Sequence, residues 1–143
     1  MSTKFSQFAA VGNALEGDVI VGLRSGNNAR FTFPATTDMS WTVVTSNHTL
    51  VANNGYFINS GALITLLAPV SFSIGDIFEI ANIGSGGWII DLNAGQKIRA
   101  GNVITSSGGT VSSSDIGDSI RLVAWSSTDL IVLSGVTVDF VIT

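Results

Sequence analysis

Short apolar runs, each ended by a turn signal, follow one another along most of the chain. Residues 41–44, 49–52, 56–58 and 62–67 are runs of this kind, and Asn, Gly and Ser residues separate them. Runs of β-branched and aromatic residues bounded by turn residues are typical of strands, and a repeat of about 8–12 residues is typical of sandwiches and barrels. The pattern therefore predicts an all-β fold, either an antiparallel sandwich or a jelly-roll-like barrel.

Three glycines give the clearest turn signal. Gly84, Gly86 and Gly87 separate the apolar runs 77–83 and 88–92. Because glycine adopts positive φ without a steric penalty, this spacing predicts a hairpin whose bend needs glycine for its backbone geometry. A phosphate-binding loop would continue into a Lys-Ser or Lys-Thr pair and a helix, whereas the sequence WIIDL follows here and is typical of a strand.

The N-terminal part differs from the rest. Two apolar runs, 19–23 and 29–33, flank a turn rich in Gly and Asn, and Pro34 ends the second run. This arrangement predicts a β-hairpin. A weaker pattern over residues 5–15 predicts one short helix. We therefore expect two domains, residues 1–37 with the hairpin and residues 38–143 as a β-sandwich.

Two expectations concern the C-terminal third of the chain. Residues 101–114 are rich in Gly and Ser, which predicts a long exposed loop or a loose hairpin. A tight connection at Gly135 is expected to precede a last strand over residues 136–142. One face of that strand must be buried, because Val136, Val138, Phe140 and Ile142 alternate along it.

The composition predicts an unusually apolar surface. Hydrophobic residues make up 45% of the chain and charged residues 11%, against roughly a quarter charged in typical domains. No apolar run reaches the ~18 residues of a membrane helix, so we expect no membrane insertion. The apolar excess instead predicts a homo-oligomer, because obligate subunit interfaces are more apolar than free surfaces.

Charge and cysteine content narrow the function further. The net charge is −4 and the six basic residues are scattered, so we expect no nucleic-acid partner. The chain has no cysteine, which removes disulfides and thiolate chemistry. The N-terminal residues lack an apolar core long enough for a signal peptide, so lysis or assembly is the expected route out of a cell.

Few residues are candidates for catalysis. His48 is the only histidine of the chain and no nucleophile motif accompanies it, so a Ser-His-Asp triad is not expected. Asp76 precedes a strand, and Asp115 and Asp118 flank a glycine; turn capping is the expected role, and a calcium site is the alternative. We therefore expect no catalytic residue, no metal and no cofactor.

The aromatic residues are the better lead to function. Trp41 and Tyr56 each stand beside polar turn residues, which makes them the candidate glycan contacts, since an exposed ring complements the C–H face of a sugar. Trp88 lies within an apolar run and is expected to pack in the core. Core packing is the alternative for all these rings, because large aromatic residues dominate β-sandwich interiors.

A resemblance to a known family rests on several segments in a fixed order. These are ALITLLAP, SIGDIFEI, GSGGW, NAGQKI, GDSIRLVAW and LIVLSG, over roughly residues 50–133. The series resembles a β-structured domain repeated across bacteriophage tail-fibre and virion-appendage proteins, although Asp129-Leu130 stands where such domains often carry a tryptophan. The resemblance implies a trimeric virion domain made in the host bacterial cytoplasm, with residues 1–37 as an N-terminal attachment segment.

Three functions remain open at this point. The first is a non-enzymatic structural protein of a phage appendage, such as a tail fibre or spike, whose partners are two further copies of itself, other virion proteins and host surface polysaccharide. The second is a lectin-like carbohydrate-binding module. The third is a capsid decoration or filament-forming subunit. Fold resemblance does not decide between them.

We predict a stable homotrimer whose interface includes Val136, Val138, Phe140 and Ile142. Phe140→Asp should break assembly or folding, because a buried unpaired charge costs several kcal/mol. Val141→Asp, on the opposite face, is the control and should do much less. Light scattering that finds a folded monomer, or equal tolerance of both substitutions, would contradict the prediction.

Overall fold

The computed structural model describes residues 19–24, 27–32, 39–136 and 141–143. All regular structure in these residues is β, which confirms the all-β prediction. A helix long and apolar enough to cross a membrane is not found among them. The chain divides into two compact units, Met1–Thr37 and Asp38–Thr143. The short helix expected near residues 5–15 lies outside the described residues.

The described strands are β1 (Val19–Arg24), β2 (Asn27–Thr32), β3 (Ser40–Val44), β4 (His48–Thr49), β5 (Asn54–Ile58), β6 (Ile64–Leu67), β7 (Ile77–Asn82), β8 (Trp88–Asp91), β9 (Lys97–Ala100), β10 (Val103–Ile104), β11 (Thr110–Ser113), β12 (Ser119–Ala124), β13 (Asp129–Val136) and β14 (Val141–Ile142).

The first unit contains the expected hairpin. Strands β1 and β2 pair antiparallel, from Val19 opposite Thr32 to Arg24 opposite Asn27. The prediction of a hairpin from the two apolar runs is confirmed.

The second unit consists of two mixed sheets. In sheet 1 the described strands follow the order β10-β9-β13-β12-β7-β5-β3, and in sheet 2 the order β14-β11-β8-β6-β4. Strand β5 is parallel to both β3 and β7, and β6 is parallel to both β4 and β8. The expectation of a purely antiparallel fold is therefore wrong.

The parallel pairing follows from how the chain winds. Strands β3 to β8 alternate between sheet 1 and sheet 2, so the chain adds one strand to each sheet in turn. One such passage through both sheets is called a winding here. A strand that returns in this way runs in the same direction as its predecessor. Strands β11 and β12, by contrast, pair antiparallel with β8 and β7. Periodicity within one strand carries no information on the partner, which is why the sequence alone did not reveal the winding.

The glycine bend connects two sheets and is not a hairpin. Strands β7 and β8, on either side of residues 84–87, lie in different sheets. The bend packs on the turn between β5 and β6. The Gly84 N–H donates to the Ile58 carbonyl and the Gly86 N–H donates to the Ser60 carbonyl, both at 2.9 Å. A Cβ at Gly84 or Gly86 would overlap the backbone of Ser60 or Ala62.

Positive φ is needed at one position of this bend. Gly87 has φ +75°, and a Cβ there would also overlap the Ser113 carbonyl. The prediction that the bend needs glycine for its geometry is therefore confirmed. Close backbone packing is the additional reason at Gly84 and Gly86, and the sequence pattern gave no sign of it.

Side chains from both sheets meet in one core. Its largest fully buried members include Trp88, Phe78, Leu50, Ile58 and Leu66. Burial alternates strictly along β7, β8 and β12, as the pleat of a strand with one covered face requires. Trp88 is completely buried, which confirms its expected packing role. Each fully buried side chain of this size contributes about 1.5–3 kcal/mol.

A polar clamp holds the segment that follows β6. The Asn93 side-chain amide donates to the Ala68 carbonyl at 2.9 Å, and the Gln96 amide donates to the Pro69 carbonyl at 2.7 Å. Gln96 also accepts a hydrogen bond from the Asn93 N–H through Oε1. Since Gln96 is buried, these bonds satisfy a polar group that would otherwise be costly to enclose. The NAGQ motif therefore has a structural role.

The Gly- and Ser-rich stretch is more ordered than expected. Strand β10 forms a short antiparallel pair with β9, and β11 is an interior strand of sheet 2 between β8 and β14. Thr105 and Ser113 are buried, and their hydroxyls bond to the Ile98 N–H and the Asp118 carboxylate. The expectation of a long exposed loop or a loose hairpin is therefore wrong for the stretch as a whole: residues 101–104 are exposed, but these bonds let Thr105 and Ser113 occupy interior positions.

The C-terminal strand also differs from the expectation. Gly135 lies inside β13 and not in a turn, and Val136 ends that strand in sheet 1. Ile142 belongs to β14 in sheet 2, where its partly buried side chain packs against the core. Val141 is exposed. Val138 and Phe140 lie outside the described residues, so the interface proposed for them stays a prediction.

We predict that Gly86→Val destabilises the protein by roughly 1–3 kcal/mol, because the new side chain meets the Ala62 backbone. Gly61→Val is the matched control, since a Cβ at Gly61 meets no atom closer than the Ser85 hydroxyl at 3.9 Å. Thermal unfolding followed by circular dichroism measures both variants. Equal melting temperatures would show that the two turns are not closely packed.

Candidate functional site

A row of aligned residues crosses the outer face of sheet 1. Trp41 on β3 is opposite Gly55 on β5, and Gly55 is opposite Glu79 on β7. Glu79 is in turn opposite Arg121 on β12, which is opposite Ser134 on β13. Directly opposite residues on adjacent strands place their side chains on the same face, and in the antiparallel pairs of this row their Cβ atoms are about 4.5–5.5 Å apart. The row thus brings together an aromatic ring, a carboxylate, a guanidinium and a hydroxyl.

The Trp41 indole lies flat on the sheet because Gly55 has no side chain. A Cβ at Gly55 would overlap the carbons of the indole ring. The ring also stacks against Phe57, with centroids 4.5 Å apart and an interplanar angle of 26°. Trp41 nevertheless remains 41% exposed. The indole therefore contacts both the backbone of β5 and the Phe57 ring, and the part of it that stays exposed borders the solvent.

A charged pair lies beside the ring. Nε of Arg121 is 3.2 Å from Oε1 of Glu79, and the two side chains are 45% and 24% exposed. The guanidinium has five N–H donors in total, so pairing through Nε leaves the donors of the terminal nitrogens for a further partner. The partly covered carboxylate has acceptor capacity beyond this one contact.

The ring and the charged pair line a shallow groove of about 240 Å³. Its described lining consists of Trp41, Glu79, Ile80, Ala81, Ser119, Ile120, Arg121 and Ser134. The groove combines the exposed part of the indole with four polar side chains, Glu79, Ser119, Arg121 and Ser134.

Tyr56 does not take part in this groove, contrary to the prediction from its polar neighbours. It is opposite the buried Ile80 on β7, so it points to the inner face of sheet 1, and it is 2% exposed. Its hydroxyl accepts a hydrogen bond from the Val51 N–H at 2.7 Å and donates to the Val51 carbonyl at 3.2 Å. An adjacent turn does not determine which face a strand residue occupies, and the parity of β5 places Tyr56 inside.

The remaining candidate residues have local roles. The Asp76 carboxylate accepts a hydrogen bond from the Ser73 N–H at 2.7 Å, and Asp118 accepts hydrogen bonds from the Ser113 hydroxyl and the Asp115 N–H. The capping role expected for both aspartates is confirmed. The His48 ring packs beside Tyr56 at a centroid distance of 5.3 Å. The described residues contain no cluster of three or more His, Asp or Glu side chains with the spacing of a metal site.

Glu79 and Arg121 were not predicted as site residues. They lie 42 positions apart in the sequence, and only the antiparallel pairing of β7 with β12 makes them neighbours. The one available signal was that each is a charged residue at an outward position of a strand that is otherwise mainly apolar.

The comparisons with known proteins do not extend this description. The chain matches no protein-family model, and no curated protein matches it.

We predict that Tyr56 titrates above its usual value of about 10. Burial is the main cause that raises the pKa of its phenol, while the hydrogen bond with the Val51 backbone acts in the opposite direction. A raised folded-state pKa means that the associated stability is present below about pH 10 and is lost as the pH rises through the folded-state value.

Ultraviolet absorbance of tyrosinate measures this titration directly, because the chain has a single tyrosine. The denatured protein serves as the control and should titrate near 10. A phenol that ionises at the same pH in the folded and denatured protein would contradict the buried position of Tyr56.

Proposed function

We propose that this chain is a non-enzymatic carbohydrate-binding module of a phage-type virion appendage, and that the groove on sheet 1 holds the sugar. The single observation that carries the binding function is the Trp41 ring, which lies flat on Gly55 beside the Glu79–Arg121 pair. The assignment to an appendage rests on the family resemblance of the sequence.

The chemistry of a sugar suits both parts of this groove. The C–H face of a pyranose is apolar and stacks on an indole, so it removes apolar surface from water on both sides. The hydroxyl groups at the rim of the same sugar are donors and acceptors, and the carboxylate and guanidinium beside the ring supply the complementary groups. Charged partners make these hydrogen bonds stronger than bonds between neutral groups.

The carboxylate content of the groove supports binding without hydrolysis. Glycosidases use two carboxyl groups about 5–9.5 Å apart across the scissile bond. Among the described residues that line the groove, Glu79 is the only carboxylate, and it is already paired with Arg121.

A single shallow groove predicts weak binding by one protomer. Affinity near 1 mM corresponds to about −4 kcal/mol, which one stacked ring and a few hydrogen bonds provide. In the proposed trimer three grooves would act on one polysaccharide, and linked sites raise the overall affinity by about 10²–10⁴ without new contacts. This arrangement matches the needs of a virion that attaches to a repetitive surface.

In this proposal the two sheets form a sandwich.

A structural role is the second candidate, and strand β3 favours it. Among the described strands β3 is at the edge of sheet 1, its sequence SWTVV carries no charge, and four of its five residues are exposed. Edge strands are usually protected by charged residues or proline, since an uncharged edge invites pairing with another strand. A subunit of an appendage or filament would use such an edge for assembly.

We predict that Trp41→Ala lowers the affinity for a glycan at least tenfold, because it removes the stacking surface. Trp125→Ala is the matched control, since Trp125 is 55% exposed and lies outside the groove lining. A glycan array identifies the ligand, and isothermal titration calorimetry measures its affinity for each variant.

A second variant separates the position of the ring from its presence. Gly55→Val retains Trp41 but displaces its ring from the sheet, so this variant should lose binding as well. Absence of any reproducible hit on the array, or equal loss with Trp125→Ala, would contradict the carbohydrate-binding function.

A further inference from the structure

The charge state of the groove bears on which class of sugar it takes. The described lining contains one acidic and one basic side chain, Glu79 and Arg121, which contact each other. The other lining residues are uncharged. The groove is therefore close to neutral and has no excess positive charge to attract an anion.

An acidic sugar would fit this pair poorly. Its carboxylate would bond to Arg121 only by competing with Glu79, and it would place a second negative charge beside a carboxylate that is three-quarters covered. Like charges in a partly desolvated site repel more strongly than they do in water. Arg99 is the next cation on the outer face of this sheet, but it lies on β9, two strands beyond β12, and does not line the groove.

Neutral hydroxyl groups fit the same pair well. A hydroxyl both donates and accepts, so one hydroxyl can donate to Glu79 while its neighbour accepts from Arg121. Glu79 is opposite Gly55, on which the Trp41 ring lies, and Arg121 is opposite Glu79. A pyranose on the ring would thus have one edge directed toward the pair, with two adjacent hydroxyls within its reach.

We infer that the ligand is a neutral sugar, and that two adjacent hydroxyl groups on one edge of its ring bind the Glu79–Arg121 pair while its C–H face packs against the exposed part of the Trp41 indole. This inference rests on the proposed carbohydrate-binding function and names the ligand class of the same groove. Ser119 and Ser134 lie beside the pair and offer further hydroxyl partners.

The experiment uses the full chain and the glycans that bind on the array. Uncharged glycans should dominate the hits, and their affinity should change less than twofold between 0.05 and 0.5 M NaCl, because no net charge is neutralised on binding. Glu79→Gln and Arg121→Lys should each weaken binding about tenfold or more, since each removes part of the charged hydrogen bonding. Arg99→Lys, outside the groove, is the matched control, and circular dichroism checks that every variant folds.

Deoxy analogues of the best neutral ligand test the role of the hydroxyls. Of the two deoxy analogues, the one that lacks the hydroxyl bound to Glu79 should bind the natural protein about tenfold more weakly but should show little further loss with the Glu79→Gln variant. A purely structural role of the ion pair would give the same loss for the analogue in both proteins and would overturn the inference.

The outcomes distinguish the inference from the function on which it rests. Hits that are all acidic, with affinity that falls steeply with salt and rises in Glu79→Gln, would overturn the neutral-sugar inference and leave carbohydrate binding intact. An array without any hit that depends on Trp41 would refute the carbohydrate-binding function and, with it, the inference.

Discussion

The second unit depends on the close packing of the turns that connect sheet 1 to sheet 2. Strands β5, β6, β7 and β8 remain in parallel register only if the bend at residues 84–87 lies directly on the turn at residues 59–62. Two N–H groups of the bend donate to carbonyls of the earlier winding, so the turns continue the hydrogen bonding of the strands. Side chains at Gly84 and Gly86 would separate the turns and break this continuity.

The absence of a glycine side chain also forms the candidate site. At Gly55 the lack of a side chain lets an aromatic ring lie on the backbone, and the ring becomes part of the surface of the sheet. In the core, by contrast, large side chains such as Trp88 and Phe78 fill the space between the sheets. Glycine thus has two roles in this unit. Gly84 and Gly86 let successive turns pack closely, and Gly55 lets the Trp41 ring lie on the outer face.

Polar residues complete the fold where the chain passes through the interior. Asn93 and Gln96 hold the carbonyls of residues 68–69, and Ser113 with Asp118 closes the turn between β11 and β12. At the β12–β13 turn, hydrogen bonds from the hydroxyls of Ser126 and then Thr128 lower the pKa of Asp129. The first two sets of bonds satisfy the buried Gln96, Ser113 and Asp118 side chains, whereas the Asp129 turn lies at the surface.

Local chemistry alone determined several features of this protein. Short apolar runs with turn signals specified strands, Gly87 marked a position of positive φ, Asp76 and Asp118 indicated turn caps, and the apolar surroundings of Trp88 predicted its burial. Each of these follows from a residue and its near neighbours. The exposure of Trp41 was also correctly expected from its polar surroundings.

Only the tertiary structure decided which strands meet and which face each one turns inward. The sequence placed Tyr56 beside Trp41 as a second exposed ring, but the pairing of β3 with β5 puts Tyr56 on the inner face and Gly55 under the indole. Glu79 and Arg121 join Trp41 through three strand pairings that no local pattern encodes. The physical reason is that alternation along a strand specifies two faces, whereas the partner and its direction depend on long-range packing between windings.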